Sequence, residues 1–409
     1  MSKFRQLRSS IINHKILAMN NFIFNNPVKL IFGKGQISKL SEEVPDGIKI
    51  MITYGGGSIK RNGVYDQVIS ALKKRNSEII EFGGIEANPD YSTLMKAVNI
   101  CKDKNVDMIL AVGGGSIIDG TKFIALASKY KGDDPWDILI KQAEVDDAIP
   151  FGTVLTLPAT SSEMNNGGVV SRRETKDKYA FGSPLTYAKF SILDPEVIYS
   201  LPKRQIANGL VDIFSHTLEQ YLTFDNKAMV MDRWAEGLLM TLIELAPKIT
   251  KEDRNYDDCA NYMLTGTMGL NGFISMGVAQ DWATHMIGHE LTAQKGLDHG
   301  QSLAIVYPGT MTVMRKEKKE KLLRYAANVW NITKGKDGSK DDDAIIDAVI
   351  EKTDEFFRSV GQKTRLSEYG IGQDTIDTIV NKFKLANKKF GENGMVTPSK
   401  VREILESRL

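Results

Sequence analysis

Short β-branched runs alternate with stretches of helical spacing through the first half of the chain, and only the helical spacing continues through the second. VKLIF (28–32), IKIMITY (48–54), SEIIEF (77–82), DMILAVG (107–113), GTVLTLP (152–158) and KFSILD (189–194) read as strands. Between them, NGVYDQVISALKKRN (62–76) and YSTLMKAVNICKDKN (91–105) set apolar residues three and four apart, as an amphipathic helix does. That alternation predicts a largely parallel sheet with helices packed around it. After Asp194-Pro195 the pattern changes: RQIANGLVDIFSHTLEQYL (204–222), DRWAEGLLMTLIELAPKI (232–249), residues 258–272 and DAIIDAVIEKTDEFFRSV (343–360) read as helices. No strand is expected beyond residue 200, and KGKDGSKDDD (334–343) reads as a solvated loop.

The expected fold class is therefore α/β plus all-α. An N-terminal Rossmann-like, parallel-sheet unit spans 19–197, an all-helical unit spans 198–409, and the cleft between them is the natural site. Residues 1–18 are set aside as an extension or an upstream start ahead of Met19; their Lys, Arg and Ser content without any acid is shared with organelle transit peptides.

Composition removes several function classes. With 53 basic and 51 acidic residues, a net charge of +2, no nucleic acid or anionic membrane is expected as partner. No apolar run approaches the ~20 residues that cross a bilayer. The only two cysteines, Cys101 and Cys259, are far apart; they suit a reducing compartment, the cytoplasm, and exclude a thiolate metal cluster.

Two strands run into GGGS and then into a helical pattern. Gly55-Gly56-Gly57-Ser58 follows IKIMITY, and Gly113-Gly114-Gly115-Ser116 follows DMILAV. Glycines admit a ligand close to the backbone, and a following helix N-terminus offers free N–H groups to a phosphate. Around the first turn there is no acid before Asp66 to bind a ribose 2′-hydroxyl; Lys60 and Arg61 instead offer charge for a 2′-phosphate, which points to NADP(H). Of the five histidines, His14 lies in the extension. Asp212 and His216 are four apart on one expected helix, His285 and His289 four apart on another, and His299 follows in a glycine-containing turn. Carboxylate plus imidazole suits one divalent ion, Zn²⁺ or Fe²⁺, with one of the five groups left outside the shell; spacing alone does not say which.

The DxxxH, HxxxH and third-histidine pattern, together with GGGSxxDxxK at 113–122, resembles the iron-containing alcohol dehydrogenase family, whose fold is dehydroquinate synthase-like. GGGSIKRNGVYDQV, LTLPATSSE, QDWATHMIGHELTA and GLDHGQ are similar to its NADPH-dependent aldehyde reductase and butanol dehydrogenase branch. The resemblance implies metal ligation by Asp212, His216, His285 and His299, with His289 outside the shell as proton donor or relay. It assigns Gly113, Gly114, Gly115 and Ser116, with Asp119 in the same motif, to the pyrophosphate side of the cofactor. Gly55, Gly56, Gly57 and Ser58 would border the 2′-phosphoribose, and Thr156, Thr160, Ser162, Asn165 and Lys178 would contact phosphate, ribose or nicotinamide. Ser161 departs from the glycine of many members. The implied activity is reversible reduction of short and medium-chain aldehydes, butanal included, by a homodimer. An NAD-dependent polyol dehydrogenase and a dehydroquinate synthase-like lyase are the rivals; a zinc hydrolase would leave the two phosphate turns without a purpose.

Overall fold

In the computed structural model, residues 19–334 and 341–409 are described. The first half alternates strands and helices as the pattern requires: β1 (Lys29–Phe32), α1 (Leu40–Glu43), β2 (Lys49–Thr53), α2 (Ser58–Arg61), α3 (Val64–Lys73), β3 (Glu78–Phe82), α4 (Tyr91–Lys104), β4 (Met108–Gly114), α5 (Gly115–Ala127), α6 (Asp137–Ile140) and β5 (Phe151–Leu157). The hairpin β6 (Gly167–Arg172) and β7 (Asp177–Gly182) follows, then β8 (Phe190–Leu193). Six strands form one sheet in the order β1-β8-β5-β4-β2-β3, every neighbouring pair parallel. Its centre is buried on both faces: β4 is buried from Met108 to Gly113, whereas edge strand β3 buries only Ile80 and exposes Glu78 and Glu81. Side-chain caps set helix starts, as where Asp90 accepts from Ser92 N at 3.0 Å to open α4.

The second half is helical: α7 (Lys203–Tyr221), α8 (Met229–Ile249), α9 (Tyr256–Met268), α10 (Ala283–Lys295), α11 (His299–Val313), α12 (Lys319–Trp330), α13 (Asp342–Ser359), α14 (Gln373–Leu385) and α15 (Pro398–Glu406). Among the described residues no strand follows β8, and no helix is long and apolar enough to cross a membrane.

Four local expectations are corrected. The hairpin β6–β7 is absent from the sequence pattern; it packs between α5 and α10 and so touches both halves. The first GGGS leads into the single turn α2, which Gly57 (φ 83) opens and which breaks off before α3, where Gly63 (φ 79) takes a left-handed conformation. His299 is not in a turn: Asp298 and Gln301 form a capping box that makes it the first residue of α11. Of the loop expected at 334–343, Asp341 accepts from Ala344 N as the cap of α13, which begins at Asp342, and 335–340 lie outside the described residues.

Candidate active site

Three helices converge on one point. Helix α7 carries Asp212 and His216 one turn apart, α10 carries His285, and α11 opens with His299. The approach is close because a side chain is missing where it would collide: a Cβ on Gly300 would lie 2.7 Å from the carbonyl oxygen of Asn208. Each of Asp212, His216, His285 and His299 offers one ligand atom, and these atoms lie within 4.8 Å of one another. From Asp212 Oδ1, His216 Nδ1 and His299 Nε2 are 3.5 Å away and His285 Nε2 is 4.0 Å. Four bonds of 2.0–2.1 Å in a tetrahedron would set ligand atoms about 3.4 Å apart, so the cluster has the dimensions of a small divalent cation's shell.

Its electrostatics agree. Asp212 Oδ1, His216 Nδ1 and His285 Nε2 are buried and have no hydrogen-bond partner among the described residues. Buried polar atoms left this way cost stability unless something binds them. Burial pushes the Asp212 carboxyl above its ordinary range. It holds His285 and His299 well below the usual imidazole range, assisted by His216 at His285 and by Lys178 at His299. Neutral imidazoles keep the lone pair that a metal needs. His289, also buried, lies one turn beyond His285 with its ring 5.3 Å from that of His299, and burial followed by the charge of Lys178 depresses it too.

Both glycine turns sit at the C-terminal ends of adjacent parallel strands, β2 and β4, the end at which open α/β sheets bind ligands. They differ in form. Gly113 and Gly114 end β4 and Gly115 opens α5; a Cβ on Gly113 would lie 2.3 Å from Ile117 Cγ1, and one on Gly115 would lie 2.4 Å from Thr160 Oγ1. At the first turn, Gly56 and Gly57 face open space, while a Cβ on Gly55 would press the Ile85 carbonyl at 3.2 Å.

The remaining expected residues lie around these turns. Ser116 Oγ accepts from Asn88 N at 3.2 Å, and Asn88 Oδ1 accepts from Lys178 Nζ at 2.8 Å. Asp119 takes Ser162 Oγ–H at 2.6 Å and Val169 N–H at 2.9 Å, so both its oxygens are engaged by the protein. Asn165 accepts from the buried Lys122 at 2.9 Å and donates to the Thr160 and Leu270 carbonyls. Thr156 is half-buried on β5. Lys60 differs from expectation: its ammonium pairs with Glu81 at 2.8 Å and lies 4.5 Å above the centre of the Tyr65 ring. The Glu81 hydrogen bond raises Lys60 above the ordinary lysine range. The acid missing from the segment before Asp66 arrives from β3, whose parallel register sets Glu81 beside Ile52 of β2.

Sequence reading also overlooked Asn88 and Glu219. Glu219 was within reach, since it falls seven residues after Asp212 on the same helical face; Asn88, a linker residue at φ 56, carried no signal.

A parallel sheet with glycine turns at its carboxyl edge, together with helices that gather a carboxylate and three imidazoles, fits a metal-assisted, nucleotide-dependent oxidoreductase. Residues 27–195 match the model of the iron-containing alcohol dehydrogenases, and residues 206–409 match that of the family's C-terminal domain. The chain belongs to the iron-containing alcohol dehydrogenase family. It is 51% identical to the NADPH-dependent aldehyde reductase YqhD of Escherichia coli over 95% of this chain and 100% of that one. A probable NADH-dependent butanol dehydrogenase of Bacillus subtilis is 44% identical over 96% of this chain and all of its own. The crystal structure of E. coli YqhD superposes with a TM-score of 0.92, at 50% identity over 96% of this chain and 100% of that one. The NADH-dependent butanol dehydrogenase A of Thermotoga maritima gives 0.90 at 35% identity, over 96% and 99%.

Proposed function

We propose that this protein reduces short and medium-chain aldehydes to primary alcohols with NADPH, at the cluster of Asp212, His216, His285 and His299. One observation carries the reading: four ligand atoms gathered within 4.8 Å on three helices of a chain whose parallel sheet ends in two glycine turns. The name of the E. coli relative, an NADPH-dependent aldehyde reductase, supports the substrate class. Bound there, Zn²⁺ or Fe²⁺ supplies Lewis acidity toward a carbonyl oxygen, and NADPH supplies the hydride.

The chain's own residues do the rest. Burial of Asp212, His216 and His285 keeps water from the ligand atoms and strengthens their electrostatic effect. Gly113–Ser116 bring backbone N–H groups to the pyrophosphate, Gly55–Ser58 border the 2′-phosphoribose, and Thr156, Thr160 and Lys178 line the path toward nicotinamide. Asp119, Ser162 and Asn165 hold that path in shape through the bonds described above. His289, held neutral, relays a proton: its ring N–H passes to the product oxygen as the other nitrogen takes one from solvent, so the ring stays neutral throughout.

NADPH oxidation with butanal, followed after chelation and after separate repletion with Zn²⁺ and Fe²⁺, tests this. Activity should vanish with the chelator and return with one of the ions, and H285A should lose ion and activity together. Full turnover in the chelated enzyme would sink the reading.

A homodimer is part of the same proposal, supported by the apolar side chains of Phe22, Ile23 (98% exposed) and Phe24 presented on one segment. Light scattering should return twice the monomer mass. A reducing compartment, the cytoplasm, is supported by Cys101 and Cys259, both free and buried, each thiol pushed up to about 11 by that burial.

A further inference from the structure

Beyond the four residues of the cluster, one buried acid addresses it from behind. Glu219 lies on α7 three residues past His216 and is 1% exposed. Its Oε1 accepts from the backbone N–H of His285 at 3.0 Å and lies 3.1 Å from Nδ1 of the same residue's ring. One oxygen thus fixes the imidazole relative to its own main chain. With Nδ1 donating to Glu219, the lone pair falls on Nε2, the unpartnered atom that faces Asp212 Oδ1 at 4.0 Å.

Glu219 is itself held. Its carbonyl accepts from Asp281 N at 2.9 Å, so side chain and main chain both grip the segment that opens α10. Asp281 in turn accepts from Ala283 N at 2.9 Å and pairs with the buried Lys318 at 2.5 Å. Lys318 reaches Glu392 at 3.2 Å and donates to the Leu222 carbonyl at 2.5 Å, just beyond the end of α7. Between Asp281 and α10, Trp282 takes φ 64, a conformation disfavoured for a large side chain, so the entry to the helix is held against strain.

We infer that Glu219 is a positioning residue for the metal centre: its carboxylate fixes the tautomer and ring plane of His285 so that Nε2 points into the cluster. This rests on the metal-site reading above. Carboxylates placed behind ligand histidines raise ligand basicity and orient the ring, and their loss typically weakens metal binding ten- to a hundredfold. A Glu219 that only satisfied the His285 amide would leave metal affinity untouched.

The experiment uses the full chain, stripped by chelation. Zn²⁺ affinity is measured by competition with a chromophoric chelator, the Co²⁺ absorption spectrum is recorded, and the apo melting temperature is compared, for wild type, E219Q and E219D. The expected result is about ten- to hundredfold weaker Zn²⁺ binding in E219Q, a shifted Co²⁺ ligand-field spectrum, and an apo melting temperature close to wild type. E219D keeps the carboxyl group but draws it back from Nδ1, and gives the same readings should E219Q fail to fold. Wild-type Zn²⁺ affinity and Co²⁺ bands in a folded variant would overturn the role of Glu219 and leave the metal site standing. Failure of the wild type to take up a stoichiometric ion would overturn both.

Discussion

Ser161 adopts φ 52, ψ 19, a left-handed conformation that costs a non-glycine residue about 1–2 kcal/mol. The family resemblance expects glycine here, and the backbone shows why. Serine is tolerated because its hydroxyl donates to the Gly266 carbonyl at 2.5 Å and accepts from Leu270 N at 2.8 Å, tying the sheet half to the last turn of α9 and the residues just after it. Each such bond contributes about 1 kcal/mol net, so the two roughly offset the strain. S161G, which loses bonds and strain together, should therefore fall within about 1 kcal/mol of wild type in urea unfolding. S161A keeps the strain, strands both partners, and should lose about 2 kcal/mol or more. Equal losses would refute this account. At the same scale, His289 is close to the cluster without supplying one of its gathered ligand atoms. H289A should retain the ion by metal analysis while kcat falls about 100-fold; an unchanged kcat would remove it from proton transfer.

The two GGGS turns show one tetrapeptide doing two jobs. At β4–α5 the glycines are enforced from inside, by Ile117 and Thr160, and a full-length helix follows. At β2–α2 only one helical turn follows and the space in front of Gly56 is open. A carboxylate meant to disfavour a 2′-phosphate therefore belongs at Gly56; at Gly55 it would press the Ile85 carbonyl. G56D should lower kcat/KM for NADPH relative to NADH by at least tenfold, and an unmoved ratio would detach this turn from cofactor choice. Glu81 adds a local consequence, since any phosphate that draws on Lys60 must compete with that ion pair. The hairpin β6–β7 escaped the pattern because its tip puts Lys176 at φ 55, where a turn signature would show Gly or Asn. With it went the means of placing Lys178.

At the scale of the molecule, the sheet half encloses buried charge. Lys122 is fully buried, donates to Asn165 and to the Gly167 carbonyl, and lies in the field of Asp119 and Glu163. Burial lowers its pKa to about 8. An unfolded lysine titrates near 10.4, so between about pH 8 and 10 the unfolded chain binds a proton that the folded chain has released. Stability should then rise with pH across that window, by up to about 1.4 kcal/mol per pH unit, and fall as pH is lowered toward 8. K122M removes this component. The stability difference between wild type and K122M in urea should grow from pH 8 to pH 10, and a constant difference would contradict it. Lys382 spans the halves at the surface, 3.0 Å from both Asp177 on β7 and Glu290 on α10.

Periodicity and local motif are properties of neighbouring residues, and what depends on them was legible in the chain. The six strands of the main sheet, the change to helices after Asp194, the one-turn spacing of Asp212 with His216, and the glycine turns all follow from contacts within a few positions. Which face of one helix meets which face of another does not, because that depends on long-range packing in three dimensions. Only the folded chain set His299 against Asp212, brought Glu81 from a neighbouring strand onto Lys60, and turned Glu219 to the back of His285. The sequence determined which groups could bind a metal and a nucleotide; tertiary packing decided which of them come together, because burial and distance are fixed only when the helices close.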